Sequence, residues 1–165
     1  RSFAVLLSGS PNLTLLILGD GPERDAVSGL VSELAIGDRV ILKPFVDSHN
    51  EVIGLMKSSH VCVIPSTREG FGIAALEALA CGLPVITVDH PDNAIRELIT
   101  KNNGFLSTLS VHDLAGTIRA ALLKYPVMKT ACIRSAEFYD WNTIAGHLEK
   151  YYRTVSSAEV NGNIV

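Results

Sequence analysis

The chain has 165 residues, which suits one domain, and 47% of them are hydrophobic, enough to bury a core. The formal net charge is −3 with no basic stripe, so nucleic acid is not an expected partner. Three cysteines (Cys62, Cys81 and Cys132) with no Cys-x-x-Cys spacing argue against a disulfide framework and a zinc site, and point to a reducing cytosol.

In chain order, residues 1–8 read as the second half of a helix ended by Gly9-Ser10-Pro11, as though cut from a larger sequence. Residues 13–18 form an apolar run expected to be a buried strand. It stops at Gly19-Asp20-Gly21-Pro22, and Pro22 suits the first turn of a helix reaching about Leu34 on Val27, Leu30, Val31 and Leu34. Residues 40–42 give a second strand, and Asp47 or Ser48 can cap a short helix through Met56. Strands follow at 61–64, 85–88 and 105–106, with helices at 72–80, 93–99 and 111–124. After Tyr125-Pro126 two further helices are expected, 128–138 and 142–155, split at Asp140-Trp141, then a polar, flexible tail over 156–165.

Strand alternating with helix implies an α/β domain, Rossmann-like and doubly wound, with a parallel sheet covered on both faces. Continuous apolar strands agree with burial on both sides. Ligands in such sheets bind outside the carboxyl ends of the strands, so the loops after Leu18, Leu42, Ile64 and Val88 are the places to search. No leader-like segment opens the sequence. The richest apolar region, 73–88, is interrupted by Glu77, Gly82 and Pro84 and cannot span a bilayer. The expected location is cytoplasmic, with any membrane attachment through surface contact at the cytoplasmic face.

The informative stretch is Pro65-Ser66-Thr67-Arg68-Glu69-Gly70-Phe71-Gly72-Ile73-Ala74-Ala75-Leu76-Glu77, directly after a strand and running into a helix. Gly70 and Gly72 permit a tight turn and close approach of a ligand. The helix start presents free N–H groups and positive dipole, an anion site suited to phosphate. Glu69 precedes the turn and Glu77 lies more than one helical turn inside. A carboxylate touching a diphosphate is repelled by about 1 kcal/mol even in water. An ionised carboxylate only accepts hydrogen bonds, so both suit hydroxyl groups. A nucleotide-sugar has diols on either side of its diphosphate, which matches two glutamates flanking one anion site. Taken singly, each glutamate also fits an ordinary loop or helix surface. Glu77 is harder to dismiss, because Leu76, Ala78, Leu79 and Ala80 make an apolar helix expected to be largely buried, and a buried carboxylate needs partners.

Other polar residues carry weaker signals. The histidines at 49, 60, 90, 112 and 147 show no ligand spacing, so no metal site is expected. His90 follows the fourth strand and lies near the presumed site; Asp89 and Asp92 beside it are expected to serve the loop. Ser66 lacks the Gly-x-Ser-x-Gly setting of a nucleophile. No Gly-x-Gly-x-x-Gly follows a first strand, which disfavours a dehydrogenase.

Glu69 to Glu77 matches an E-x7-E motif, and Pro65-Ser66, Glu69-Gly-Phe-Gly, Leu76-Glu77-Ala78 and Gly82-Leu83-Pro84-Val85 stand in one family's order and spacing. Leu18-Gly19-Asp20-Gly21-Pro22-Glu23, Asn103-Gly104-Phe105-Leu106, and Tyr139-Asp140-Trp141 before a helix ending in Tyr151-Tyr152 extend the match over nearly the whole chain. The sequence thereby resembles the C-terminal, donor-binding domain of retaining glycosyltransferases with the GT-B fold, in the large family 4 group. The resemblance implies a nucleoside-diphosphate sugar as substrate and a hexose-type sugar transferred with retention to an acceptor, a glycan or lipid-linked sugar. Glu69 would be catalytic, contacting hydroxyls of the donor sugar, with backbone N–H groups of Phe71, Gly72 and Ile73 meeting sugar or phosphate. Glu77 would hold the ribose, residues near Lys43-Pro44-Phe45-Val46 would approach the base, and Ser66, Gly70 and Gly19 complete the donor-binding set. No cofactor or metal is implied, since positive side chains and helix dipole stabilise the leaving diphosphate. Residues 1–155 would form the donor domain, with 128–155 its C-terminal helices, and the acceptor site would belong to an N-terminal domain outside this sequence.

Three departures from the family pattern matter. The family's diphosphate-binding Arg and Lys precede the first helix, and Arg1 aligns with the helix interior instead. A frequent Gly-Gly-x-x-Glu reads Asn93-Ala94-Ile95-Arg96-Glu97 here; Asn tolerates a left-handed turn and can cap a helix, whereas Ala does not favour positive φ. A glycine common after the second strand is Pro44. The competing functions are a nucleotide-sugar epimerase of related fold and a non-catalytic nucleotide-sugar-binding module, the latter disfavoured by the intact Glu69 and Glu77.

Overall fold

A computed structural model describes residues 1–160. The chain runs α1 (Ser2–Leu7), β1 (Leu15–Leu18), α2 (Arg24–Glu33), a 3-10 turn (Gly37–Arg39), β2 (Val40–Lys43), α3 (His49–Lys57), β3 (Cys62–Ile64), α4 (Ile73–Ala80), β4 (Val85–Val88), α5 (Ile95–Leu98), β5 (Gly104–Ser107), α6 (Val111–Glu137) and α7 (Trp141–Val160). Every strand pairing is parallel, as an α/β alternation requires. The pairing falls into two ladders, β1–β2 and β3–β4–β5.

The two ladders differ in burial. All four residues of β4 are buried, and with α4 and α6 they enclose the core: Ala75, Ala78, Leu79, Leu83, Val85, Ile95, Met128 and Cys132. The β1–β2 ladder is half-covered, with Ile17 36% and Ile41 53% exposed, and neither α2 nor α3 has a buried residue. Burial on both sides, expected of all strands, therefore holds for β4 alone. β1 is paired on one side only, which leaves its flank and the face around Ile17 open.

The expected helix break at Tyr125-Pro126 is absent, and α6 passes straight through Pro126. Proline removes the N–H that would bond the Leu122 carbonyl, at a cost of about 3 kcal/mol in a helix interior. Pro126 is exposed, so water can satisfy that carbonyl's side of the helix, while Ala121, Met128 and Cys132 are buried before and after it and hold both halves against the core. The cap of α6 follows the Ser-x-x-Asp pattern of residues 110–113. Ser110 Oγ accepts the Asp113 N–H at 3.4 Å, and Asp113 accepts the Thr108 N–H at 2.7 Å. The Thr108 N–H foremost, with the Thr108 and Ser107 hydroxyls, holds the Asp113 carboxyl below its ordinary range.

α7 continues to Val160, so the expected flexible tail is helical over 156–160; residues 161–165 lie outside the described residues. Pro22 does not enter a helix, since α2 begins at Arg24, and the Ser48 N-cap makes no side-chain hydrogen bond. Among the described residues, no helix is long and apolar enough to cross a membrane.

Candidate functional site

The loop joining β3 to α4 turns at Gly72, which has φ 85° and ψ 55°. A Cβ there would lie 2.3 Å from Ile95 Cγ1, so both backbone and space demand glycine. α4 then starts at Ile73, and a helix gives the Ile73 and Ala74 N–H groups no acceptor, whereas the Ala75 N–H already bonds the Gly72 carbonyl at 2.9 Å. Gly70 is different: its φ is not left-handed and a Cβ would meet nothing within 4 Å. The turn therefore requires one of the two glycines.

Glu69 is half-buried and its backbone is held on both sides. Its N–H donates to the Asp92 carbonyl at 3.0 Å, and its carbonyl accepts the Ala94 N–H at 3.0 Å. These two bonds form a parallel bridge between Glu69 and Asn93, outside the regular strands. Arg68, Glu69, Gly70 and Asp92 line a cavity of about 480 Å³.

Glu77 is less buried than the sequence suggests. Ile73 is 67% exposed, Ala74 and Ala80 are exposed, and the Glu77 side chain keeps 28% of its surface. Only Ala75, Ala78 and Leu79 of α4 are fully buried, because the helix presents one face to the core and the other outward. Glu77 Oε1 lies 3.8 Å from Nε2 of His49, the first residue of α3. The loop before α3 carries Phe45, which is 73% exposed, and Val46, which is half-buried.

Gly19, φ 138°, donates its N–H to the Lys43 carbonyl at 3.0 Å and so joins the loops after β1 and β2. It borders a separate cavity of about 370 Å³ between Ile17, Leu18, Val27 and Leu42, which shares no lining residue with the Glu69 cavity. Lys43 Nζ pairs with Glu51 at 3.0 Å. Ser66 is half-buried after β3, and Phe71, 47% exposed, meets the edge of Tyr139 at 5.8 Å between ring centroids.

The structure thus gathers Ser66, Glu69, Gly70, Phe71, Gly72, Ile73 and Glu77 on one loop and helix start, and leaves Gly19 in a different cavity. Sequence reasoning missed His49 opposite Glu77, Tyr139 beside Phe71, and Asn93 behind Glu69. His49 carries no ligand spacing, and Tyr139 is legible only as part of a helix boundary. His90 turns inward to the loop, its Nδ1 accepting the Asp92 N–H at 3.2 Å, and Asp89 pairs with Arg96 at 3.3 Å, so both serve the loop. Among the described residues, no group of three or more His, Cys, Asp or Glu side chains is placed to hold a metal ion.

Residues 1–137 match the sequence profile of the family described as "Glycosyl transferases group 1". The chain belongs to that family. Among curated relatives it is 28% identical over 148 residues to a GDP-mannose-dependent alpha-(1-6)-phosphatidylinositol dimannoside mannosyltransferase of Mycobacterium tuberculosis, covering 89% of this chain and 37% of the relative. It is also 28% identical over 154 residues to one subunit of the phosphatidylinositol N-acetylglucosaminyltransferase of Homo sapiens, covering 88% of this chain and 31% of that protein. The chain therefore spans about a third of the length of these relatives. Among solved structures, sucrose-phosphate synthase from Thermosynechococcus elongatus superposes with a TM-score of 0.75 at 28% identity, covering 95% of this chain and 42% of that one. The group 1 chain shares the α/β architecture of GT-B glycosyltransferases.

Proposed function

We propose that this group 1 chain is the donor half of a retaining glycosyltransferase of family 4 type, which transfers a hexose-type sugar from a nucleoside-diphosphate sugar to an acceptor. The observation that carries this reading is the arrangement around α4: first-turn N–H groups at Gly72–Ile73, with Glu69 before them and Glu77 beyond. The N–H groups and helix dipole suit the diphosphate. The flanking carboxylates suit hydroxyls, Glu69 the transferred sugar and Glu77 the ribose. Phe45 and Val46, on the loop after β2, suit the base.

In this reading Glu69 acts by orientation and by hydrogen bonds that strengthen as charge develops on the sugar. The bond from sugar to diphosphate breaks, the bond to the acceptor oxygen forms on the same face as the acceptor's proton passes to the departing diphosphate, and the α4 start stabilises that diphosphate. Neutralisation by the helix start and by basic residues of the complete protein leaves no step that calls for a metal. The acceptor site would lie in a further, N-terminal domain, and the chain alone should not transfer sugar. The names of the two relatives above carry mannose and N-acetylglucosamine, which supports a hexosyl donor without choosing one.

The test is a thermal-shift panel of UDP, GDP, ADP and their sugars on the complete protein, followed by turnover of Glu69→Gln with the donor that stabilises it. Loss of a transition-state contact of a few kcal/mol predicts a fall of roughly a hundredfold or more in rate. Near-normal transfer by Glu69→Gln would remove the catalytic assignment, and epimerised donor as the product would favour the epimerase.

A further inference from the structure

Behind Glu69 stands a side chain with no exposed surface. Asn93 is 0% exposed, and its amide is satisfied in three directions. The Asn93 Nδ2 donates to Thr87 Oγ1 and to the Val88 carbonyl, each at 2.8 Å, and its Oδ1 accepts the Ile95 N–H at 3.2 Å. Thr87, also 0% exposed, passes the connection on, its hydroxyl donating to the Ile64 carbonyl at 2.9 Å. One buried chain of hydrogen bonds thus joins the carboxyl ends of β3 and β4 to the start of α5.

The backbone on either side of Asn93 is what holds Glu69. Asp92 takes the Glu69 N–H, Ala94 gives its N–H to the Glu69 carbonyl, and Asn93 is the bridge partner. The next residue, Ile95, fills the space in front of Gly72 and so bears on the α4 start as well. Ile95 reaches Gly72 through its own side chain, whereas Glu69 is held through the backbone that Asn93 pins down.

We propose that Asn93 is a positioning residue for Glu69: its buried amide fixes the bridge that sets the Glu69 backbone, and so the placement of the Glu69 carboxylate. The proposal rests on the donor-site reading for its effect on rate, but its effect on the loop does not. Asparagine is suited because it donates twice and accepts once from one short, planar group. Aspartate at the same place has no donor, and would set a carboxylate against the Val88 carbonyl. Glycine would leave the Thr87 hydroxyl, the Val88 carbonyl and the Ile95 N–H without this partner.

A second buried asparagine supplies the control. Asn103, also 0% exposed, donates to the Leu98 carbonyl at 3.0 Å and accepts the Thr100 N–H at 2.7 Å, before the amino end of β5 and so away from the strand ends that carry the loops.

The experiment compares Asn93→Asp, Thr87→Val, Thr87→Ser and Asn103→Asp in the complete protein by two readouts. The first is amide hydrogen exchange at Glu69 and Ala94. The second is acceptor-independent hydrolysis of UDP-glucose, UDP-N-acetylglucosamine and GDP-mannose, with the affinity of the matching nucleoside diphosphate. Asn93→Asp should speed exchange at both amides at least tenfold and lower kcat by tenfold to a hundredfold, with nucleoside-diphosphate affinity within threefold. Thr87→Val should show a smaller change in the same direction, and Thr87→Ser should restore both. Asn103→Asp should lower stability without either change. If Asn93→Asp does not fold, Thr87→Val decides, and unchanged exchange at Glu69 overturns the proposal. Loss of kcat in Asn103→Asp equal to that in Asn93→Asp would also overturn it, since burial alone would then explain the effect. If the unaltered protein binds and hydrolyses none of the donors, the donor-site reading fails, while the exchange data still accept or reject the role of Asn93 in holding the loop.

Discussion

Gly72→Ala is the substitution for which the structure makes the sharpest demand. The residue sits at φ 85°, where an L side chain costs about 1–2 kcal/mol. The new Cβ would also lie 2.3 Å from Ile95 Cγ1 and 2.8 Å from its Cδ1. Ile95 is fully buried in the core, so it cannot swing into solvent, and overpacking of this kind costs about 1–3 kcal/mol. The two effects together give about 2–5 kcal/mol, a large part of the about 5–15 kcal/mol available to a typical domain. With a urea slope of about 2 kcal/mol per molar, the unfolding midpoint should fall by about 1–2.5 M. Gly70→Ala, with open space and no left-handed φ, should stay within about 0.5 kcal/mol of the parent. The clash can be isolated with Ile95→Ala, which removes both offending atoms. The double variant should be more stable than the sum of the single losses by about 1 kcal/mol or more. A Gly72→Ala protein as stable as the parent would refute the reasoning. So would strict additivity with Ile95→Ala, because the contact between the α4 start and α5 would then carry no energy.

Pro126→Ala should raise stability by about 1–3 kcal/mol, read as a higher urea midpoint, because it restores an N–H to an unbroken, exposed stretch of α6; no gain would mean the helix is broken there. Alkaline pH should destabilise the fold. Burial raises the Cys62 and Cys132 thiols from 9.0 to about 11, so the unfolded chain ionises first. The stability these protonated thiols confer is complete below pH 9.0 and is lost as pH rises toward about 11, and a melting temperature flat across that window would contradict it. His49→Ala should change stability by less than about 0.5 kcal/mol, since its 3.8 Å contact with Glu77 is largely solvent-exposed; a larger loss in thermal denaturation would make the pair structural.

The parts of the fold written in local pattern were legible in the sequence. Short apolar runs gave β1 to β5, and alternation gave their parallel pairing. What could not be read depended on contacts distant in sequence. Pro126 reads as a stop, and only the burial of Met128 and Cys132 against residues of α4 and β4 carries α6 past it. Glu77 reads as buried because its neighbours are apolar, but the side of α4 facing the core is fixed by β4 and α6. The Asn93-Ala94 departure reads as a changed loop lacking left-handed freedom. The structure needs none there: Ala94 has φ −65°, and the asparagine is used for its amide. His49 meets Glu77 across 28 positions of sequence, and neither residue's neighbours announce the other.

The central claim is that Glu69 and Glu77 read opposite ends of one donor. Titration calorimetry with a nucleoside diphosphate and with its nucleotide-sugar, against Glu69→Ala and Glu77→Ala in the complete protein, tests it most directly. A carboxylate contributes about 1.5–3 kcal/mol for each charge-assisted hydrogen bond it accepts, which corresponds to roughly 10-fold to 100-fold in affinity. Glu77→Ala should weaken both ligands by that amount, because both carry the ribose. Glu69→Ala should weaken the nucleotide-sugar and leave the bare nucleotide within about twofold, because only the sugar reaches it. Unchanged nucleoside-diphosphate affinity in a folded Glu77→Ala protein, or equal loss of both ligands in Glu69→Ala, would contradict the account.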